Sequence, residues 1–308
     1  MDETVKGASM LSKIYNFLNY CYEDNSGDKF PDLKLQLFLI AVKSIMPYED
    51  KVGCMFDFLR YEKEIDLFKY YKNGQDELIE YYIENKSHSD KEDVLLEYKL
   101  IPLSIANTSW DILLNETLRA ATFYSLNKKT IINTIIISSA IYEYLNQEQL
   151  NIEDINENTK ERLINFSLKD FFNNNNIQFS KVKLIEFEKE RILTLSSNEI
   201  ISKELKEQYK SLLFIYNNKD NVENTTDSQL NETNEETVLT AFSQYLLKLR
   251  KGLISPEKLK IQLNNIPDLK EFLKYSSFSH PLLGKCKVLK RGKETILKNK
   301  SGLIKVNI

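Results

Sequence analysis

Between Val94 and Leu145 the chain reads as the centre of a helical protein. VLLEYKLIPLSIA runs apolar around Pro102 and leads into two stretches that leave little of a helical circumference polar. A helix without a broad polar face must be covered on most sides by other elements. The spacing predicts one helix with Trp110, Leu113, Leu114, Leu118 and Ala121 on a single face, opened by Thr108 with Asp111 three residues later in the manner of a capping box. A second is expected over Ile131 to Leu145, where the polar residues are mainly Asn133, Thr134, Ser138, Ser139 and Glu143. Small hydroxyls in such a helix allow neighbours to come close.

The rest of the chain follows the same period. Val5 to Tyr22 is amphipathic, and Leu33 to Ile45 is nearly apolar all round and stopped by Pro47. Two or three surface-facing helices are expected between Glu49 and Lys86, split at Lys72-Asn73-Gly74, and one or two between Asn151 and Phe172. Phe179 to Leu195 fits helix and strand equally, while Glu199 to Tyr216 returns to helical spacing. With only eight Gly and six Pro in 308 residues, sharp turns are scarce and a mainly α fold is expected. The expected layout is a helical core over 1–216, a polar linker or long loop over 217–234, and helices completing the core over 235–275. The last part holds a capping box, Thr233 with Glu236, and a helix from Pro256 to Leu263.

Residues 276–308 differ in kind. Apolar and basic residues alternate there and Gly recurs at 284, 292 and 302, predicting two or three short antiparallel strands that turn near Arg291-Gly292 and Ser301-Gly302. Lys285, Lys287, Lys290, Arg291, Lys293, Lys298, Lys300 and Lys305 face one acid, Glu294, within a chain of net charge −3. A ribbon with such a face suits phosphate backbones or an acidic partner. Lysines also serve on edge strands to prevent aggregation, and the ribbon lacks the aromatics of a base-stacking platform.

Cys21, Cys54 and Cys286 are odd in number and far apart, as expected of reduced thiols in the cytoplasm. No apolar leader opens the sequence, and no apolar run is long enough for a bilayer, so no membrane association is expected. His88 and His280 have no acid or Cys at ligand spacing.

Several segments, in order, resemble the ADP-ribosylglycohydrolases, an all-α family that binds two magnesium ions in a central cleft. Gly7-Ala8, with Tyr22-Glu23 at the other end of its helix, is similar to the family's first helix. Phe30-Pro31-Asp32 before an apolar helix resembles Phe-Thr-Asp-Asp-Thr, and Tyr98 to Leu103 stands where the family has Met-Arg-x-x-Pro-Leu. Glu116 to Ile131 and Glu236 to Leu246 resemble two further family segments. The resemblance implies a single helical domain of that type with the small basic β element appended.

The chemistry-bearing positions depart from the family. Its Gly-Asp is Tyr15-Asn16 here, its Arg is Lys99, its Thr-His is Tyr124-Ser125, and Asp32 alone remains of the metal motif. A hard dication wants about six oxygens and several carboxylates. The resemblance therefore implies a catalytically degenerate relative that binds a protein or an ADP-ribose-like ligand without cofactor, with no catalytic or metal-ligating residues. Asn16, Glu23, Asp32, Lys99, Tyr124 and Ser125 would line its pocket. Helix caps or solvated loop acids explain the first three as readily, and a surface charge paired with Glu97 explains Lys99. Two alternatives stand beside it: an active magnesium-dependent glycohydrolase with a rearranged site, and a nucleic-acid- or acidic-partner-binding protein using the basic ribbon.

Overall fold

The computed structural model describes residues 3–22, 30–218, 238–263, 266–292 and 294–307. Glu23, Lys293, the Thr233–Glu236 capping box and nearly all of the expected 217–234 linker lie outside the described residues.

Two helices form the centre. In α5 (Leu96–Ala106) every residue is buried, Glu97, Lys99 and Ser104 included, although Pro102 inside it removes one rung of the hydrogen-bond ladder. The Pro-containing segment is thus itself a helix rather than a lead-in. α7 (Lys128–Asn146) is buried without a break from Thr130 to Ile141. Around this pair stand α1 (Glu3–Tyr22), α2 (Leu33–Lys43), α6 (Trp110–Thr122), α8 (Ile152–Asn165), α10 (Lys181–Leu195), α12 (Lys210–Asn217) and α13 (Val238–Arg250). The hydroxyls of α7 face neighbouring hydroxyls, Ser138 donating to Thr117 at 3.2 Å and Ser139 meeting Thr159 at 2.7 Å. They satisfy each other where the helices are closest.

Smaller helices complete the body: α3 (Phe58–Phe68), α4 (Glu77–Asn85), α9 (Leu168–Asn174), α11 (Lys203–Gln208) and α14 (Leu269–Phe272). The ambiguous stretch resolves as α10, which Ser180 opens by accepting from the Lys183 amide at 3.3 Å.

Several expectations are corrected. The apolar helix stops at Lys43, and Ile45–Pro47 (β1) pairs with Cys54–Phe56 (β2) in a hairpin that periodicity did not show. Gly53, at φ 142°, is required there: a Cβ would stand 2.9 Å from the Ile112 side chain. The Thr108 capping box does not form. Ser109 occupies the cap, so Asp111 falls one residue short of the position from which it could reciprocate. Pro256–Lys258 is a single 3-10 turn closed by Leu259, and Leu259, Ile261 and Leu263 pack against the core at a spacing of two that is not a helical face. Trp110 is half-buried, with the Arg162 guanidinium 4.2 Å above its ring.

The C-terminal sheet has four antiparallel strands, in the order β3 (Ser277–His280), β4 (Gly284–Lys290), β5 (Glu294–Asn299), β6 (Gly302–Asn307). SFSH is the strand beyond the two or three expected. One face carries buried Cys286, Leu297, Ile304 and Val306 into the core of the helical body. The Asn307 amide donates to the Tyr70 carbonyl at 2.8 Å, tying the last strand to the chain just after α3.

Candidate functional site

The structure brings Lys99, Tyr124 and Ser125 together, but in the interior. Lys99 Nζ lies 2.5 Å from Asp93 Oδ2 and 4.4 Å from the centre of the Tyr124 ring. The Tyr124 hydroxyl donates to that of Tyr61 at 3.0 Å. Asp93 also accepts from the Leu95 amide at 3.1 Å, and its own amide donates to Thr130 Oγ1 at 2.9 Å. Ser125 Oγ donates to the Lys91 carbonyl at 2.5 Å and contacts Thr130 Oγ1 at 3.3 Å. Burial raises the Asp93 carboxyl above its ordinary range, and the Lys99 ammonium opposes that rise. This closed network has no lane for a ligand.

Lys99 is therefore neither a surface charge nor the partner of Glu97. Glu97 reaches the start of α12 instead, accepting from the amides of Lys210 at 3.1 Å and Ser211 at 2.9 Å and from Ser211 Oγ at 2.7 Å. It does the work of a cap there, since the Tyr209 side chain at the cap position makes no capping bond. Burial raises its carboxyl too, and the bonds to Ser211 resist.

Asp32 is placed elsewhere. It caps α2 by accepting from the Leu35 amide at 2.8 Å. Asn16 is half-buried on α1. Asp32 neighbours Tyr98 and Tyr22, whereas Lys99, the next residue along α5, points to Tyr124. The candidate residues thus divide between two places. Among the described residues no group of three His, Cys, Asp or Glu is close enough to hold a metal ion, so this donor set does not fit a magnesium pair.

A cleft of about 290 Å³ opens at the N-terminus of α7, lined by Leu126, Asn127, Ile131, Phe172 and Phe187 among others. Its two lysines are neutralised, Lys183 by Asp90 and Lys128 by Glu190. Glu186 also lines it, which opposes an anion.

The outer face of the C-terminal sheet is open. Lys287 and Lys298 are direct cross-strand partners on β4 and β5, and alternation places Lys285 on the same face. A bulge between Val288 and Lys290 restores Lys290 to it, opposite Ile296. Lys285, Lys287, Lys290, Lys298 and Lys300 are all exposed, and among the described residues none pairs with a carboxylate. Lys305 does, with Glu294 at 2.5 Å, and Arg291 donates to the Lys274 carbonyl at 3.0 Å. Lys285, Lys287, Lys290 and Lys298 occupy the two inner strands of the sheet, not its edges, and Lys300 lies in the turn after β5.

Sequence reasoning missed Asp93, which ends a polar loop six residues before Lys99, a spacing that shares no helical face. It also missed Arg250, whose guanidinium donates to the Ile105 and Asn107 carbonyls at 3.0 and 2.7 Å and to Asn146 at 2.7 Å. Among the described residues no helix is long and apolar enough to cross a membrane. The chain matches no protein-family profile, no curated protein and no solved structure.

Proposed function

We propose that this protein is a non-hydrolytic binding protein, a helical body of the ADP-ribosylglycohydrolase type whose working surface is the outer face of the C-terminal sheet, and that this face takes the phosphate backbone of duplex nucleic acid. The observation that carries the reading is Lys287 directly opposite Lys298 on inner strands. Like charges at such positions cost stability. Protection against edge-to-edge aggregation explains lysines on edges, not these. A duplex fits better than a single strand, because Lys285, Lys287, Lys290 and Lys298 offer point charges with no aromatic on which a base could stack.

On the body, the segment order that resembles the family supports the scaffold, while Asp32 is committed to capping α2 and Lys99 to Asp93. The family's reaction therefore lacks its donors here.

The test is fluorescence anisotropy with a labelled duplex of arbitrary sequence across a salt series. Four phosphate contacts correspond to a slope of log K against log salt of about −3 to −4. Lys287→Glu with Lys298→Glu should weaken binding at least tenfold. Binding indifferent to salt, or to this pair of changes, sinks the reading. Calorimetric titration with ADP-ribose and magnesium tests the body: magnesium-dependent uptake would overturn the non-hydrolytic part.

A further inference from the structure

We infer that the outer face of α10 is a self-association surface on which a second copy of this chain docks its own α10, antiparallel, about a twofold axis near Phe187.

The inner face of α10 is fully engaged. Phe187 is buried, Glu190 pairs with Lys128, Lys183 with Asp90, and Arg191 donates to the Phe166 carbonyl at 2.9 Å. The outer face carries Val182, Ile185, Ile192 and Leu193, exposed by 61, 55, 63 and 66%. Positions 182, 185, 189 and 192 repeat at steps of three, four and three, the seam spacing of paired helices. Lone exposed aliphatics are ordinary, but a seam of them along one helix is an unfilled contact.

Charge identifies the occupant. The seam is interrupted by exposed Lys189 and flanked by exposed Glu186. In an antiparallel pair that sets Val182 level with Ile192 of the second copy, Lys189 comes within one residue, about 1.5 Å along the axis, of the level of Glu186 of the second copy. Twofold symmetry repeats the contact, so the surface complements itself in shape and in sign. The 219–237 segment of the same chain is a poor occupant, since it offers only Val222 and Leu230 as aliphatics.

Sedimentation equilibrium of the full chain tests this. Wild type should be dimeric, and Ile185→Asp, at a solvent-facing position, should leave the circular dichroism unchanged and raise the dimer dissociation constant at least tenfold. Glu186→Lys and Lys189→Glu should each be monomeric alone, because each sets like charges together, and an equimolar mixture of the two should form a heterodimer. A wild type that stays monomeric up to its solubility limit overturns the inference. So does a dimer that none of these changes weakens, or a mixture that fails to associate when the wild type does.

Discussion

Lys99 Nζ and Asp93 Oδ2 meet at 2.5 Å with side chains 1% and 0% exposed, an ion pair held wholly inside the helical body. Removing either partner strands the other charge. Lys99→Met or Asp93→Leu should each destabilise by about 3–5 kcal/mol, whereas the two changes together should cost far less than the sum of two such losses. Urea unfolding followed by circular dichroism measures the cycle. An additive double change would mean that the two groups do not act as a pair.

Arg250 closes α5 and α7 together from the end of α13, with two main-chain carbonyls and Asn146 as acceptors. Arg250→Met keeps the apolar stem and drops the donors. The expected loss is about 2–4 kcal/mol by denaturant titration, with two buried carbonyls left unpartnered. A loss below about 0.5 kcal/mol would show that water reaches them.

Acid should weaken the protein through His280. Burial, with Lys43 nearby, lowers His280 below its ordinary 6.5. Below pH 6.5 the unfolded chain takes up protons that the folded chain refuses, so stability is present above 6.5 and is lost as pH falls toward the folded value. His280→Gln should flatten that limb of a stability-against-pH profile. An unchanged profile in this variant would contradict the burial of that ring.

All three thiols should be silent in the native state. Burial pushes Cys54 up to about 12 and Cys286 up to about 11, and holds Cys21 well above 9.0. An aromatic disulfide reagent at pH 8 should titrate none of them promptly and all of them after denaturation. Prompt reaction of any one would place it at the surface.

Lys287→Thr separates binding from stability. Relieving the Lys287–Lys298 repulsion with a β-branched residue should stabilise by about 0.2–1 kcal/mol while weakening duplex binding. If stability and binding fall together, the lysine serves the fold.

The helices were legible wherever burial is set by period. α6 and α7 announce themselves because a run such as IINTIIISSAIYEYL has no other place than the interior, whereas Pro102 hid α5, whose segment read only as a lead-in to them. The hairpin at Ile45–Phe56 was not, since three-residue strands are too short to show alternation and Gly53 is needed for a contact with Ile112 that lies far along the chain. The basic strands were readable as strands, but their inner position in the sheet depends on SFSH adding an edge. For the site, residue type alone sent Lys99 to the surface. Only tertiary structure could set Asp93 beside it and give Glu97 to α12, because neither pairing follows a local spacing.

Glu97 finds its donors 114 residues later, and the end of α5 waits 145 residues for Arg250. During synthesis the central helix therefore emerges long before the groups that satisfy it. A nascent chain ending before Ser211 holds a carboxylate that belongs in the core and has nothing there to receive it. Such a chain gains little by collapsing around α5, and loop closure over these separations slows the step that completes it. The polar ends of the most buried helix are therefore completed only once the chain extends through α12 and α13.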